Sequence, residues 1–380
     1  MNFVAVVVGL VFILIVLWDA FETVVLPRRV TRRLRLVRLF YRLTWPLWSG
    51  AVRALLPRRR QETYLSYYGP LSLPVLLGIW AAVLIAGFAL LYWAPGNAIK
   101  TLDGHPDFQS CLYFSGTTFF TLGLGDIAPN TPIARFLVVF EAGMGFAFLA
   151  LVISYLPALN QSFSRREVTI SLLDARAGSP PTAAEILLRH AQDNAMDSLT
   201  QLLHEWERWS AELLESHLSY PVLVYFRSQH DNQSWLAALT AILDTCSFVM
   251  SCLEGACVRQ AQLTFAMARH TIVDLALVLH TAPHEPEIDR LPVTGRATLR
   301  SVLREKGIPL QKGAEADQSL DELRRMYEPY VFALSNRLQL TVPPWIPRSG
   351  RGDNWQVSAW DKNASVLRPD GSKQPDADHF

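Results

Sequence analysis

Over its first 160 residues the chain alternates long uncharged apolar segments with charged ones. Phe3–Trp18 is uncharged and, continued to Leu26, is long enough to cross a bilayer about 30 Å thick. A second uncharged segment covers Leu71–Ala94, and a third covers Phe136–Leu159 with Glu141 as its one charged residue. We therefore expect three membrane-spanning helices in the first half of the chain.

Aromatic residues and charges predict how these segments lie in the membrane. The second segment is flanked by aromatic residues typical of the two membrane interfaces: Tyr64, Tyr67, Tyr68, Tyr92 and Trp93. Arginines follow the first and third segments, so the positive-inside rule places both junctions in the cytoplasm and the N-terminus outside. A cleaved signal peptide is the alternative for the first segment, but that segment has neither a basic leader nor a small-residue cleavage site.

The linker between the first two segments is strongly basic, although the whole chain has a formal net charge of only +1. Five of its arginines recur at helical spacing: Arg28, Arg32, Arg35, Arg38 and Arg42. The opposite face of such a helix carries Val30, Leu34, Val37, Tyr41, Trp45 and Trp48. We expect an interfacial helix with its arginines on phosphates of the anionic inner leaflet and its aromatic face in the membrane. A topology signal with no other role is the alternative.

A shorter apolar stretch, Phe108–Phe120, lies between the second and third segments. It is too short to cross the bilayer, which predicts a re-entrant helix. The stretch leads directly into Thr121-Leu122-Gly123-Leu124-Gly125-Asp126, and Pro129 follows three residues after the aspartate.

These residues resemble the filter of the potassium-channel pore family, whose signature is T-x-G-[YFL]-G-D after a short pore helix. The resemblance covers roughly Phe108–Pro157, and it makes the second span an outer helix and the third an inner helix. It implies an ion-binding filter from Thr121 to Gly125, with permeant K⁺ and no other metal or cofactor. It also implies a homotetramer with three identical partner subunits, because one loop cannot enclose a pore and closed symmetry is usual.

The residue types of the motif suit this chemistry. A dehydrated cation needs rings of oxygen ligands, which the backbone carbonyls and the Thr121 hydroxyl would supply. Carbonyls aimed at one axis require backbone angles that glycine adopts at little cost, and Gly123 and Gly125 meet that need. Leu124 stands where many family members carry tyrosine, so weak selectivity for K⁺ over Na⁺ is the alternative to a selective filter.

Four polar residues near the motif are candidates for supporting the filter: Asp126, Thr117, Thr118 and Glu141. Asp126 would bond to groups of the pore helix at the outer mouth and attract cations. A carboxylate within a span is a functional candidate, because leaving it in lipid is costly. Our hypothesis is that Glu141 bonds Thr117 or Thr118; a protonated carboxyl that is simply packed is the alternative.

Small residues and a proline in the third segment bear on gating. Gly145 and, less well aligned, Gly143 lie where the resembling family keeps a gating hinge. Glycine loosens a helix locally, but in a membrane it also permits close helix packing. Pro157 is expected to end or kink the inner helix at the cytoplasmic mouth.

Beyond residue 160 the sequence predicts a soluble all-α domain. Thr182 is the expected N-cap of its first helix. Helical periodicity covers Ala183–Leu218, Asn232–Val258, Gln260–His280 and Asp321–Leu338. The chain has no strand-linked GxGxxG motif, which excludes a Rossmann regulatory module, and its cysteines and histidines form no disulfide or metal-site pattern. The polar end of the chain predicts a flexible tail.

We therefore predict an all-α membrane protein with three transmembrane helices, a re-entrant pore helix and filter, and a cytoplasmic helical bundle. The expected domains are an N-terminal span (1–27), a basic interfacial linker (28–63), a pore domain (64–160), a linker (161–182), a helical domain (183–342) and a tail (343–380).

The predicted function is a homotetrameric, potassium-selective channel of the cell membrane, gated by the inner helix and its cytoplasmic domain. Its expected partners are identical subunits and lipids, and nucleic acid is not among them. The alternatives are a weakly selective cation channel and a membrane-anchored signalling or scaffold protein with a vestigial pore. The sequence contains no nucleophile–base set or phosphate loop that would indicate an enzyme.

Overall fold

The computed structural model describes residues 2–25, 36–101, 106–190, 196–229, 233–253, 255, 257–286, 288–311 and 313–347. Two compact units divide the chain. The N-terminal unit consists of Met1–Ser162 with Ser219–Phe226, and the C-terminal unit consists of Phe163–Leu218 with Arg227–Phe380. Apart from two strands of two residues and one isolated bridge, the regular structure of the described residues is helical, which confirms the all-α class.

The N-terminal unit is built from helices joined by short connections. Its elements are α1 (Phe3–Ala20), a π-helical turn (Phe21–Val25), α2 (Leu36–Leu55), α3 (Arg58–Ser66), α4 (Tyr68–Trp93), β1 (Ile99–Lys100), α5 (Phe108–Phe119), β2 (Ala128–Pro129) and α6 (Pro132–Ala177). The two strands pair antiparallel on either side of α5 in the chain. The last third of α6 belongs to the C-terminal unit.

The C-terminal unit contains seven further α-helices among the described residues. They are α7 (Ala183–His190), α8 (Met196–Ser219), α9 (Trp235–Cys252), α10 (Cys257–Val278), α11 (Val293–Glu305), α12 (Ala314–Arg325) and α13 (Glu328–Leu338). Two of the predicted helices are each divided in two. Ala183–Leu218 corresponds to α7 and α8, and Asp321–Leu338 corresponds to the end of α12 and to α13, which begins at a proline-containing turn.

Four of the described helices are long and apolar enough to cross a membrane. Three of them, α1, α4 and α6, coincide with the predicted spans. The fourth, α9, differs in its surroundings: 94% of its apolar window is buried inside the structure, compared with 11% for that of α6. Protein therefore covers α9, whereas the apolar surface of α6 is left open by its own chain.

Helix α1 packs on α4 where two glycines meet. A Cβ atom added to Gly9 would lie 2.7 Å from the carbonyl oxygen of Gly87. Small residues let membrane helices approach this closely. Near the end of α1, the buried Asp19 accepts hydrogen bonds of 3.2 Å from Trp80 Nε1 of α4 and from the backbone N–H of Val37 in α2. These contacts fix α1 to both neighbours.

The aromatic face of α2 is covered by protein, and not by lipid as we expected. Tyr41 and Trp45 are buried and contact the ring of Tyr68, with centroids 6.3 and 4.9 Å apart. The Tyr41 hydroxyl also pairs with Ser72 at 3.3 Å, and a buried tyrosine needs such a partner. The polar tips of these rings explain why the face turns toward the protein.

The exposed face of α2 carries leucines: Leu39, Leu43, Leu47 and Leu55. Arg42 is exposed and Arg38 is half-buried. The other predicted lipid-facing arginines, Arg28, Arg32 and Arg35, lie outside the described residues. A leucine stripe beside a basic residue thus forms the exposed face of α2.

Helix α6 does not end at Pro157, and most of the expected linker 161–182 is helical. A proline removes one backbone hydrogen bond, and membrane helices tolerate this when neighbouring groups compensate. Beyond it, Ile170, Leu173 and Ala177 are buried at intervals of three and four residues, the spacing of an amphipathic helix. Thr182 then caps α7, because its hydroxyl accepts the N–H of Glu185 at 3.3 Å.

The centre of the C-terminal unit contains a buried ion pair. Asp244 of α9 is fully buried and accepts hydrogen bonds from the Arg290 guanidinium and the Tyr327 hydroxyl. Arg290 also donates to Glu328 at 3.1 Å. Burial alone lowers the pKa of Arg290, but Asp244 outweighs this effect and raises it. The charge on each group is thus compensated by its neighbour.

The predicted flexible tail begins too early at residue 343. Trp345 is fully buried, its carbonyl oxygen accepts the N–H of Ala184 at 3.1 Å, and the Arg324 guanidinium lies 5.7 Å from its ring centroid. A tryptophan buries a large apolar area, so it holds this part of the chain in the unit. Residues 348–380 lie outside the described residues.

The four cysteines are buried and free. Burial raises the pKa of Cys252 to about 11, which keeps it a thiol at neutral pH. Among the described residues, no group of three or more His, Cys, Asp or Glu side chains could hold a metal ion.

Candidate functional site

The short helix α5 positions the candidate site. Its N-cap is Asp107, which accepts hydrogen bonds from the backbone N–H of Ser110 at 2.8 Å and from its hydroxyl at 2.6 Å. These bonds hold the pKa of the Asp107 carboxyl below its ordinary value. The apolar face of α5, including Cys111, Phe114 and Phe119, is buried. The helix is therefore fixed at its start and along one face.

The motif Thr121–Asp126, called here the filter motif, begins where α5 ends. The N–H groups of Thr121 and Leu122 donate to the carbonyl oxygens of Thr118 and Thr117 at 3.0 and 2.7 Å. These bonds occupy carbonyls that the end of a helix leaves without partners. They attach the motif to α5 and set the direction in which it leaves.

The backbone of the filter motif alternates between two conformations. Thr121, Gly123 and Gly125 have φ angles of 57°, 56° and 82°, whereas Leu122 and Leu124 do not have positive φ. Left-handed angles cost glycine little, but they are uncommon for threonine. Residues that alternate in this way turn successive carbonyls toward the same side of the strand. The motif can therefore present a row of oxygen atoms.

The filter motif lies on the surface of the chain. All residues from Thr121 to Asp126 are exposed, and Leu122 and Leu124 expose 62% and 64% of their area. At the last residue of the motif, Tyr113 of α5 makes a side-chain hydrogen bond with Asp126. After the motif, Asn130 bonds through its N–H to the carbonyl of Ala98 at 2.7 Å. The motif is thus held at both ends and uncovered between them.

Behind α5, a buried cluster links three helices: Tyr92 of α4, Ser115 of α5 and Glu141 of α6. We call it the carboxyl cluster. Glu141 is fully buried; it accepts a hydrogen bond from Tyr92 at 2.8 Å and another from the Ser115 hydroxyl, which also lies 2.9 Å from the carbonyl oxygen of Ile85. These bonds hold α5 between α4 and α6.

The structure corrects the expected partners of Glu141. Thr117 and Thr118 are largely buried, but the Thr117 hydroxyl donates to the carbonyl of Phe114 at 2.9 Å. In a helix, serine and threonine bond readily to carbonyls three or four residues earlier, which removes Thr117 as a donor to the carboxylate. Ser115 takes that place instead.

Gly145 and Gly143 differ sharply in their surroundings. A Cβ atom added to Gly145 would lie 1.9 Å from the carbonyl oxygen of Phe119, whereas one added to Gly143 would meet nothing within 4 Å. Gly145 therefore lets α6 pass directly against the end of α5. This contact supports the packing role for Gly145, which the sequence left open beside a hinge.

A cavity of about 680 Å³ adjoins Thr121, the first residue of the filter motif. Its lining is mainly apolar and includes Thr121, Phe119, Leu77, Gly145 and Leu149. Helix α6 also exposes large apolar side chains along its length: Ile133, Phe136, Val139, Phe140, Phe146, Leu149 and Ile153. Exposed apolar area on this scale calls for cover by lipid or by other protein chains.

Three residues of the site escaped the sequence analysis. Tyr92 was interpreted as an interfacial aromatic, but it is 1% exposed and bonds Glu141. Ser115 and Tyr113 carried no signal beyond a polar atom on an otherwise apolar helix. Such an atom needs a partner when buried, so Ser115 could have been proposed as one for Glu141.

Two comparisons with known proteins found a match to this chain. Residues 79–161 match a family model described as ion channel. Over 245 residues the chain is 28% identical to the uncharacterized membrane protein YdjJ of Bacillus subtilis (strain 168), a match that covers 61% of this chain and 70% of that protein. No solved structure matches the chain. The matched segment includes α5, the filter motif and the carboxyl cluster.

Proposed function

We propose that the chain is one subunit of a homotetrameric, potassium-selective channel, since residues 79–161 match a family model described as ion channel. The observation that carries this proposal is the backbone of the filter motif. Thr121, Gly123 and Gly125 have positive φ angles and alternate with Leu122 and Leu124, which do not. This segment is exposed and directly follows the buried helix α5. Few functions other than ion coordination require a row of uncovered carbonyls.

The proposed conduction follows from these oxygens. Carbonyls of residues 121–125 replace the water around a cation, and the Thr121 hydroxyl adds a ligand at the inner end. The C-terminal end of α5 carries a partial negative charge that favours a cation in the cavity below. Asp126, bonded to Tyr113, adds negative charge at the outer mouth and braces it.

Four copies are needed because one motif supplies only one wall of a filter. The exposure of Leu122, Leu124 and the α6 face supports this arrangement. Neighbouring subunits and lipid would cover these surfaces, and closed fourfold symmetry would bring the carbonyls into rings.

The carboxyl cluster and Gly145 are proposed to support the filter. The cluster fixes α5 to the outer and inner helices through Glu141, and the Gly145 contact fixes the last residue of α5. Leu124 has no hydroxyl that could form a hydrogen bond behind the filter. The contacts of Glu141 and Gly145 would therefore hold the filter motif in place. Gly143, where an added Cβ atom would meet nothing within 4 Å, is then the better candidate for a hinge.

The orientation is proposed from charge. The N-terminus would face outward, and the basic linker and the C-terminal unit would lie in the cytoplasm of a cell-membrane protein. Arg42, exposed beside the leucine stripe of α2, would contact phosphates of anionic lipid in the inner leaflet.

The test is cation flux through the purified full chain in liposomes. We expect barium-sensitive K⁺ flux at least tenfold above Na⁺ flux, and we expect Gly125→Ala to abolish it because alanine disfavours φ near 82°. The matched control is Gly96→Ala, since Gly96 has φ of 77° and equally open surroundings but lies outside the motif.

Absence of flux in a folded wild-type protein, or full flux in Gly125→Ala, would overturn the proposal and favour a scaffold with a vestigial pore. Equal K⁺ and Na⁺ flux would overturn only the selectivity and would favour the weakly selective channel.

A further inference from the structure

The segment Ser219–Phe226, called here the coupling segment, lies between α8 and α9 in the sequence. Both helices belong almost entirely to the C-terminal unit, yet this segment packs as part of the N-terminal unit. Its centre is a short 3₁₀ helix, Pro221–Tyr225, whose residues Val222 to Tyr225 are buried. The chain therefore leaves one unit, enters the other and returns.

The coupling segment inserts an aromatic ring between α2 and α4. Tyr225 stacks on Tyr41 with centroids 5.2 Å apart and planes inclined by 15°. Its centroid also lies 5.1 Å from that of Trp45 and 5.3 Å from that of Tyr68. Aromatic pairs at these distances are favourable beyond the area they bury.

Backbone of α4 lies directly against the same segment. A Cβ atom added to Gly69, in the first turn of α4, would lie 2.7 Å from Cδ2 of Phe226 and 3.1 Å from the carbonyl oxygen of Tyr225. An approach this close leaves no room for the segment to slide along α4 without a shift in both.

A third contact reaches the inner helix. The rings of Tyr220 and Tyr155 of α6 have centroids 5.4 Å apart. Tyr155, Leu151, Pro221 and Val222 line a cavity of about 20 Å³, scarcely more than one water molecule occupies. Tyr155 lies ten residues after Gly145, about 15 Å along the helix. The segment thus contacts α6 about 15 Å along the helix from Gly145, which itself packs against the end of α5.

Both ends of the coupling segment are anchored in the C-terminal unit. Just before it, His217 is buried beside Trp235, and its Nδ1 contacts the carbonyl of Leu213 at 2.8 Å. Just after it, the Arg227 guanidinium donates to the carbonyls of Leu338 and Gln339 at 2.8 and 3.0 Å. A rearrangement of the C-terminal unit must therefore pull on the segment.

We infer that the coupling segment is a gating linkage: it transmits the state of the C-terminal unit to the inner helix by holding Tyr155 against the Tyr41–Trp45–Tyr68 cluster. This inference rests on the proposed channel function. Loosening the contact changes the equilibrium between closed and open pores, while the filter motif, which is not part of the segment, keeps its conductance and selectivity.

The experiment is single-channel recording of the full chain in bilayers. We expect Tyr225→Ala to change the open probability at least threefold with unitary conductance and ion selectivity unchanged. Tyr225→Phe keeps the ring and should behave as wild type. Tyr330→Ala, a half-buried tyrosine of the C-terminal unit, is the matched control. An unchanged open probability in a correctly assembled Tyr225→Ala protein would overturn the inference.

A second variant decides the matter if Tyr225→Ala fails to assemble. In the double variant Tyr155→Cys and Tyr220→Cys, a short cross-linker that joins the two thiols through disulfide bonds should alter the open probability, and reduction of those disulfides should restore it. The native cysteines are buried and compete little, and the two single variants are the controls. Cross-linked protein that gates like its reduced form would refute the linkage. Loss of all current in the wild type would instead refute the channel function itself.

Discussion

In the N-terminal unit the buried Glu141 accepts hydrogen bonds from two neutral hydroxyls, whereas in the C-terminal unit the buried Asp244 faces a guanidinium. The two units also differ in how their helices pack. The first unit brings backbones together at Gly9 and Gly145, while the second surrounds the apolar helix α9 almost completely with protein.

This contrast reflects the two solvents. Lipid is as apolar as a helix surface, so helices in a membrane gain little by hiding apolar area and rely on close packing and hydrogen bonds. A charge there is costly, and neutral donors limit how many charges must be buried. In the C-terminal unit, burial of α9 supplies the hydrophobic term, and a paired charge can be accommodated within it.

The largest effect is expected from breaking the charge pair. Arg290→Met leaves Asp244 and Glu328 buried without their shared cation, which costs about 3–5 kcal/mol. Hydrogen exchange of α9 amides in the full chain would report the loss. Arg208→Met removes an exposed pair with Glu212 and should cost less than about 1 kcal/mol. Similar losses in both variants would remove the distinction between the units.

A slightly smaller effect is expected where backbones touch in the N-terminal unit. Gly145→Ala places a methyl group 1.9 Å from the Phe119 carbonyl oxygen and should cost about 3 kcal/mol. Thermal stability of the assembled protein is the measurement. Gly143→Ala has space and should be neutral or slightly stabilising, since alanine favours a helix. If Gly145→Ala altered gating but not stability, Gly145 would be a hinge and not a packing contact.

Removing Glu141 from the carboxyl cluster should cost less stability than removing Arg290 from its buried ion pair. Glu141→Leu leaves the Tyr92 hydroxyl without its acceptor, at about 2 kcal/mol, while Glu141→Gln keeps one acceptor and should lose about 1 kcal/mol. Exchange of α5 amides and the Na⁺-to-K⁺ permeability ratio should both rise, and both should rise more in Glu141→Leu than in Glu141→Gln. If neither variant changed current, selectivity or exchange, the carboxyl cluster would have no part in supporting the filter.

The effect of acid on the C-terminal unit is expected to be gradual, because it is spread over several pH units. Burial, and then the neighbouring Arg166, lower the pKa of His217 to about 3. Between about pH 6.5 and 3 the unfolded chain binds a proton that the folded unit does not, so stability is lost as the pH falls through this window. The loss is at most about 1.4 kcal/mol per pH unit. Denaturation of the C-terminal unit followed against pH is the measurement.

The control for that experiment is His217→Gln, which cannot take up a proton. It should show a shallower pH dependence than the wild type below pH 6.5. An identical slope in both proteins would mean that other groups cause the acid sensitivity.

Much of the fold followed from the sequence because its signals are local. Apolar segments of sufficient length predicted the three spans. The motif from Thr121 to Asp126 predicted the segment in which residues with positive φ alternate with residues without it. The differences from the structure occurred where a local signal had two physical outcomes. Pro157 was expected to end or kink its helix, and the structure rules out only the end; the aromatic face of α2 contacts protein in place of lipid.

The sequence by itself determined the three apolar helices of the N-terminal unit, the position of the filter motif and the presence of a carboxylate inside one of these helices. Only the tertiary structure decided that Glu141 meets Tyr92 and Ser115, and that Gly145 meets Phe119. It alone placed the coupling segment in the N-terminal unit. The reason is physical: periodicity defines which face of a helix is buried, but the partner on that face depends on residues distant in the chain.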